Sequence, residues 1–75
     1  MATPRIKSEI IYQYLRDYIR ENGFSPSFRE ISIACEISIP TVQLCLMWLE
    51  LQGRLRRRNG VARSIVLLDA DDAAE

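Results

Sequence analysis

The chain predicts a mainly α domain in which three helices are closed by a small β-hairpin, and three observations carry that prediction. A helical apolar periodicity runs over residues 4–22 and meets Gly23, a residue suited to the left-handed conformation that ends a helix. Two shorter helical stretches, 28–35 and 39–52, are joined by a link so short that one must turn directly into the other. Beyond Gly53, residues 54–68 hold two strand-like runs around Asn59-Gly60, a strong two-residue turn signal. Residues 1–68 therefore read as one domain and residues 69–75 as an acidic, disordered tail.

Seventy-five residues are close to the size at which one core is only just sufficient, so an apolar face left over is expected to want a partner. The formal net charge of zero hides a division. Residues 1–68 carry all ten basic side chains against six acidic ones, and the tail holds the other four acids. A basic folded part permits nucleic-acid binding without demanding it. With no histidine and only Cys35 and Cys45, neither a zinc set nor a Cys-His nucleophile can be assembled, so no metal and no cofactor are expected. The absence of a Gly-rich phosphate loop and of paired carboxylates argues against an enzyme. No apolar run approaches the roughly twenty residues of a membrane span and no signal peptide is visible, so the expectation is a cytoplasmic protein with reduced cysteines.

In the first helix Thr3 is placed to cap and Pro4 to occupy the first helical position. Ile11, Leu15, Tyr18 and Ile19, with Tyr12 at the edge, fall on one face and are expected in the core. Ile6, Ile10 and Tyr14 form a second stripe. It either packs under the hairpin or tail, or contributes to a dimer contact. Phe24-Ser25-Pro26 connects to a capping box from Ser27 to Glu30, and Arg29 lies in the first turn behind it. Free amides at a helix start, with a basic neighbour, suit a phosphate; alternatively Arg29 is a solvated charge.

The second helix should turn Ile31, Ala34 and Cys35 inward, with Ile37 closing the turn. Glu36 stands where a glycine would be more comfortable, which predicts strain or an altered turn. Ser38 can cap the third helix, and Pro40 is tolerated in its first turn because no intrahelical donor is lost there. Val42, Cys45, Leu46 and Leu49 share the core face. Pro40, Leu44, Met47, Trp48 and Leu51 point the other way, and a helix apolar on both sides is normally covered on both.

The segment from Glu30 to Gly53 resembles the winged helix-turn-helix pattern E-I-A-x-x-x-G-I-S-x-x-T-V-x-x-x-L-x-x-L-x-x-x-G. Glu30, Ile31, Ile37, Ser38, Thr41, Val42, Leu46, Leu49 and Gly53 match in register, while Ser32 and Glu36 depart from it. From Thr3 to Leu68 the chain is similar to the amino-terminal DNA-binding domain of LexA-type repressors, through the run Tyr18-Ile19-Arg20-Glu21-Asn22-Gly23-Phe24-Ser25-Pro26-Ser27-Phe28-Arg29-Glu30-Ile31, the spacing from Thr41-Val42 to Gly53, and Ala62-Arg63-Ser64-Ile65 in the wing. Cys35 stands where the family usually has Leu.

The resemblance implies a third helix entering the major groove of double-stranded DNA and a wing touching the adjacent backbone or minor groove. Carried over by position, Ser38, Thr41, Gln43 and Leu44 would read bases. In the wing, Arg54, Arg56, Arg57, Arg58 and Arg63 cluster within ten positions. Such a cluster suits phosphate better than it suits a mere solvated edge. Arg56, Arg57, Arg58, Asn59 and Arg63 join Ser27 and Arg29 as backbone or minor-groove candidates. Phosphate contact through about five arginines predicts a slope near −4.5 in log K against log salt. LexA-type repressors follow this domain with a Ser-Lys self-cleaving, dimerising domain, which this sequence does not contain, so self-cleavage is not expected.

Two functions follow. The first is a DNA-binding transcriptional regulator, by resemblance a repressor, acting as a homodimer because operator affinity in such domains needs two half-sites. The alternative is a protein-interaction module in which the apolar third-helix face is buried on another copy or a partner protein. Ile6, Ile10, Tyr14, Met47, Trp48 and Leu51 are the candidate interface residues.

Overall fold

The computed structural model describes residues 4–58 and 63–68. Three helices, α1 (Pro4–Asn22), α2 (Phe28–Cys35) and α3 (Ile39–Leu51), precede an antiparallel pair, β1 (Leu55–Arg56) and β2 (Val66–Leu67). The chain bends by 105° between α2 and α3, within the range of a helix-turn-helix. The expected Thr3 cap, the Asn59-Gly60 turn and the acidic tail lie outside the described residues.

Each helix end has a local cause. Gly23 (φ 82°) ends α1, its amide donating to the Ile19 carbonyl at 2.8 Å. Gly53 (φ 76°) ends α3: its amide reaches Glu50 O at 2.9 Å and the Arg54 amide reaches Leu49 O at 3.0 Å. Those two bonds satisfy carbonyls the helix leaves open, and they aim the chain into β1. Glu36 performs the same service after α2, with φ 57° and ψ 45°, so the strain expected of a non-glycine residue there is present.

The core lies where the three helices and the hairpin meet: Ile11, Tyr12 and Leu15 from α1, Ile31 from α2, Ile37 from the turn, Val42, Cys45, Leu46 and Leu49 from α3, and Leu55 and Ile65 from the wing. Burying a Leu or Ile side chain contributes about 1.5–3 kcal/mol.

Some expected inward residues fall elsewhere. Ala34 is exposed because the inner stripe of α2 runs through Phe28, Ile31 and Cys35, at spacings of three and four, and leaves Ala34 on the flank. Tyr18 and Ile19 are half-buried rather than core, being near the end of α1 where the neighbouring elements thin out. Tyr14, assigned to the outer stripe, instead packs against the core and sets its ring 5.8 Å from that of Tyr18. Ser8 is the unforeseen core member, buried one turn before Ile11 and Tyr12.

The sequence leaves the wing register open, and the strand pairing sets it. Leu55 pairs with Leu67 and Arg56 with Val66, so the connection is three residues wider than a two-residue turn at Asn59-Gly60 allows. Ser64 explains part of that width: its hydroxyl accepts from the Arg58 amide at 3.0 Å and donates to the Arg58 carbonyl at 3.1 Å. A side chain thus takes the place of a backbone rung. Ile65 then drops into the core beside the strand pair.

Candidate nucleic-acid interface

The third helix presents one side of its first two turns to solvent, with Val42, Cys45 and Leu46 buried on the other. Ser38 holds the N-cap position with φ −61° and ψ 152°, but its hydroxyl donates to Thr41 Oγ1 at 2.9 Å and makes no capping bond to the backbone. These hydroxyls, both expected at bases, therefore engage each other. Each retains acceptor capacity. Gln43 is exposed, and Leu44 is 53% exposed beside it. The outward apolar face expected of α3 is present: Met47, Trp48 and Leu51 are exposed while Val42, Cys45, Leu46 and Leu49 are buried.

The start of α2 is built as the spacing foretold. The Ser27 hydroxyl accepts from the Glu30 amide at 3.2 Å and the Glu30 carboxylate accepts from the Ser27 amide at 2.8 Å. Arg29 is exposed in that first turn.

The wing arginines divide into two groups that charge counting alone did not foresee. Arg54 pairs with Glu9 of α1 and lies 4.0 Å over the buried Tyr12 ring. Arg57 pairs with Glu50 of α3 at 3.2 Å and sits 5.9 Å from the Phe28 ring centre; its side chain is only 14% exposed. Arg63 grips Glu30 with both ends of its guanidinium, at 3.0 and 3.1 Å. It also donates to the Ser25 carbonyl at 3.2 Å. Arg56 and Arg58 are exposed, and among the described residues no acid pairs with either. Sequence offered no signal for Arg54 and Arg63, whose partners are 45 and 33 positions away, whereas Glu50 is seven from Arg57.

The electrostatics follow these pairings. The Arg63 guanidinium, aided by the Ser27 amide, holds the Glu30 carboxyl below the usual carboxylate range. Glu30 in turn raises Arg63, and Glu9 raises Arg54. Burial raises the Cys35 thiol above its ordinary value.

A helix-turn-helix closed by a hairpin, with an exposed third-helix start and a basic wing, defines the winged helix-turn-helix class of nucleic-acid-binding domain. Residues 3–64 match the LexA DNA binding domain model, and the chain belongs to that family. It is 35% identical over 66 residues to a LexA repressor of Herpetosiphon aurantiacus, covering 87% of this chain and 31% of the relative. A LexA repressor of Clostridium tetani is 41% identical over 64 residues, covering 84% of this chain and 32% of the relative. One of Leptospira biflexa is 36% identical over 69 residues, covering 89% and 34%.

The chain spans about a third of the length of the curated relatives it matches. Family membership makes this a DNA-binding domain, with DNA as its partner. It favours the DNA-binding reading over that of a protein-interaction module. Among the described residues no single helix is long and apolar enough to cross a membrane.

Proposed function

We propose that the chain is the operator-reading part of a cytoplasmic transcriptional repressor that binds two half-sites as a homodimer. The first turns of α3 enter the major groove, and the wing lies on the neighbouring backbone or minor groove. The observation that carries this reading is the two-sidedness of α3 in a chain of this family: Val42, Cys45 and Leu46 are buried while Ser38, Gln43 and Leu44 are open to solvent. Repression is carried over from the relatives, which are named as repressors.

Gln43 is the side chain best suited to a bidentate contact with adenine, and Leu44 suits a thymine methyl. Ser38 and Thr41 contribute polar contacts beside them. Backbone affinity comes from Arg56 and Arg58 on the wing and from Arg29 and the Ser27 helix start; Asn59, also expected to contribute, lies outside the described residues. Arg57 and Arg63 take part through the protein groups they hold. Phosphate contact through Arg29, Arg56 and Arg58 predicts a salt slope near −2.7, shallower than five contacts would give. The exposed apolar residues Ile6, Ile10, Met47, Trp48 and Leu51 supply the surface for a second copy.

The test is fluorescence anisotropy on a duplex selected from random sequence, repeated across salt concentrations. Gln43→Ala should reduce discrimination by about 1–3 kcal/mol at the base it reads, leaving binding to unrelated duplex unchanged. Absence of salt-dependent binding by the intact domain, even at low salt, would sink the reading. Sedimentation of the same sample checks the dimer. A monomer from the Leu44→Arg, Trp48→Ala pair, where the native chain is dimeric, would place that contact on the α3 face.

A further inference from the structure

We infer that Arg63 is a positioning residue for DNA binding, a clamp that sets the wing against the start of α2, and that it does not itself contact phosphate. The inference rests on the DNA-binding reading above.

Arg63 stands where the wing returns to the body of the domain, and its contacts all lead away from the hairpin. Its guanidinium forks onto the two Glu30 oxygens at 3.0 and 3.1 Å. The Ser25 carbonyl accepts from it at 3.2 Å and the Tyr18 hydroxyl at 3.4 Å, while the Phe24 ring lies 5.4 Å from its charge centre. One side chain therefore touches the end of α1, the link to α2 and the first turn of α2.

Two residues further on, the Ile65 amide donates at 3.2 Å to the hydroxyl of Ser25, which is itself buried. Ser25 is thus held to the wing through both its carbonyl and its hydroxyl. Arg63 adopts a left-handed backbone, φ 56°, which is costly for a residue with a Cβ and here is held in place by the contacts of its own side chain.

Glu30 has no vacant role either. It caps α2 through Ser27 and receives the clamp with the same carboxylate. An Arg63 that turned to a phosphate would have to leave a bidentate pair, a carbonyl and a ring. At 41% and 39% exposure the pair is well screened, so its main consequence is geometric: it decides where Arg56 and Arg58 stand relative to α3.

The two roles for Arg63 make opposite predictions for Glu30→Gln. Glutamine keeps the capping box and removes a negative charge. If Arg63 is a phosphate contact, freeing it and removing the carboxylate tightens binding. If it is a clamp, binding weakens.

The experiment is a double-mutant cycle of Glu30→Gln and Arg63→Ala in the intact chain, read by anisotropy on a mixed-sequence duplex across salt, with Arg58→Ala as the reference for a direct contact. Hydrogen exchange at the Arg58 and Ile65 amides is followed without DNA. We expect each single variant to bind roughly tenfold more weakly at fixed salt, within the range coupled pairs show, and the double variant to bind no worse than either. Their salt slopes should equal that of the native chain, whereas Arg58→Ala should flatten the slope by about 0.9. Exchange at Ile65 should quicken in both.

Tighter binding by Glu30→Gln, or a slope flattened by Arg63→Ala, would overturn the clamp. If the native chain itself fails to bind at low salt, the DNA-binding reading fails first. In that case faster exchange at Ile65 still upholds the clamp as a device of the fold, and unchanged exchange overturns it.

Discussion

The amide of Ile37 donates to the carbonyl of Ser32 at 3.1 Å, a bond that spans Glu36 and closes the turn between the two helices of the motif. Ile37 is buried beneath that turn, and the bond requires Glu36 to take φ 57°. Glu36→Gly removes a left-handed cost of about 1–2 kcal/mol, partly offset by the greater freedom glycine has in the unfolded chain. A net gain of about 0.5–1 kcal/mol is expected, visible in thermal melts as a rise of several degrees for a domain this small. An unchanged or lower midpoint would show that the turn is relaxed by other means.

Ser8 is 1% exposed, and its hydroxyl has no hydrogen-bond partner among the described residues. An unsatisfied buried hydroxyl costs about 1–3 kcal/mol, and alanine is also the better helix former. Ser8→Ala is therefore expected to stabilise the domain by roughly 1 kcal/mol in a urea titration, with no change in DNA affinity.

Arg57 and its neighbours Arg56 and Arg58 are adjacent in sequence and opposite in circumstance. Arg57→Ala removes the packing of a largely buried stem as well as the pair with Glu50, so it should lower stability by about 1 kcal/mol and leave the salt slope of DNA binding unaltered. Arg56→Ala and Arg58→Ala should do the reverse, each reducing the slope by about 0.9 with the melting midpoint unmoved. Equal slopes from all three variants would show that pairing within the protein does not separate anchors from contacts.

Acid should loosen the wing before it unfolds the helices. The folded chain holds the Glu30 carboxyl below its ordinary value, chiefly through Arg63. The unfolded chain therefore takes up this proton first as pH falls. The contribution of Glu30 is whole above roughly pH 4.3 and is lost as pH drops through the lowered folded value. Hydrogen exchange at the Ile65 amide should rise across that window in the native chain and be flat there in Glu30→Gln.

How far the sequence could be read depended on the range of the interaction. The helix spans, the capping box of Ser27 and Glu30 and the uneasy turn at Glu36 were legible because their causes lie within a few residues. Motif spacing likewise sufficed for the class of domain and for the apolar outer face of α3. The sequence alone could not separate anchoring arginines from exposed ones. That distinction depends on Glu9 and Glu30, which chain folding brings to Arg54 and Arg63 from 45 and 33 residues away.

The wing register was equally hidden, since it depends on the Ser64 hydroxyl bonding Arg58 and on the burial of Leu55 and Ile65. By itself, then, the sequence determined which segments fold locally and what kind of domain they make. Only the tertiary structure decided which charges remain available to a partner, because a charge is spent or spared by what lies beside it in space.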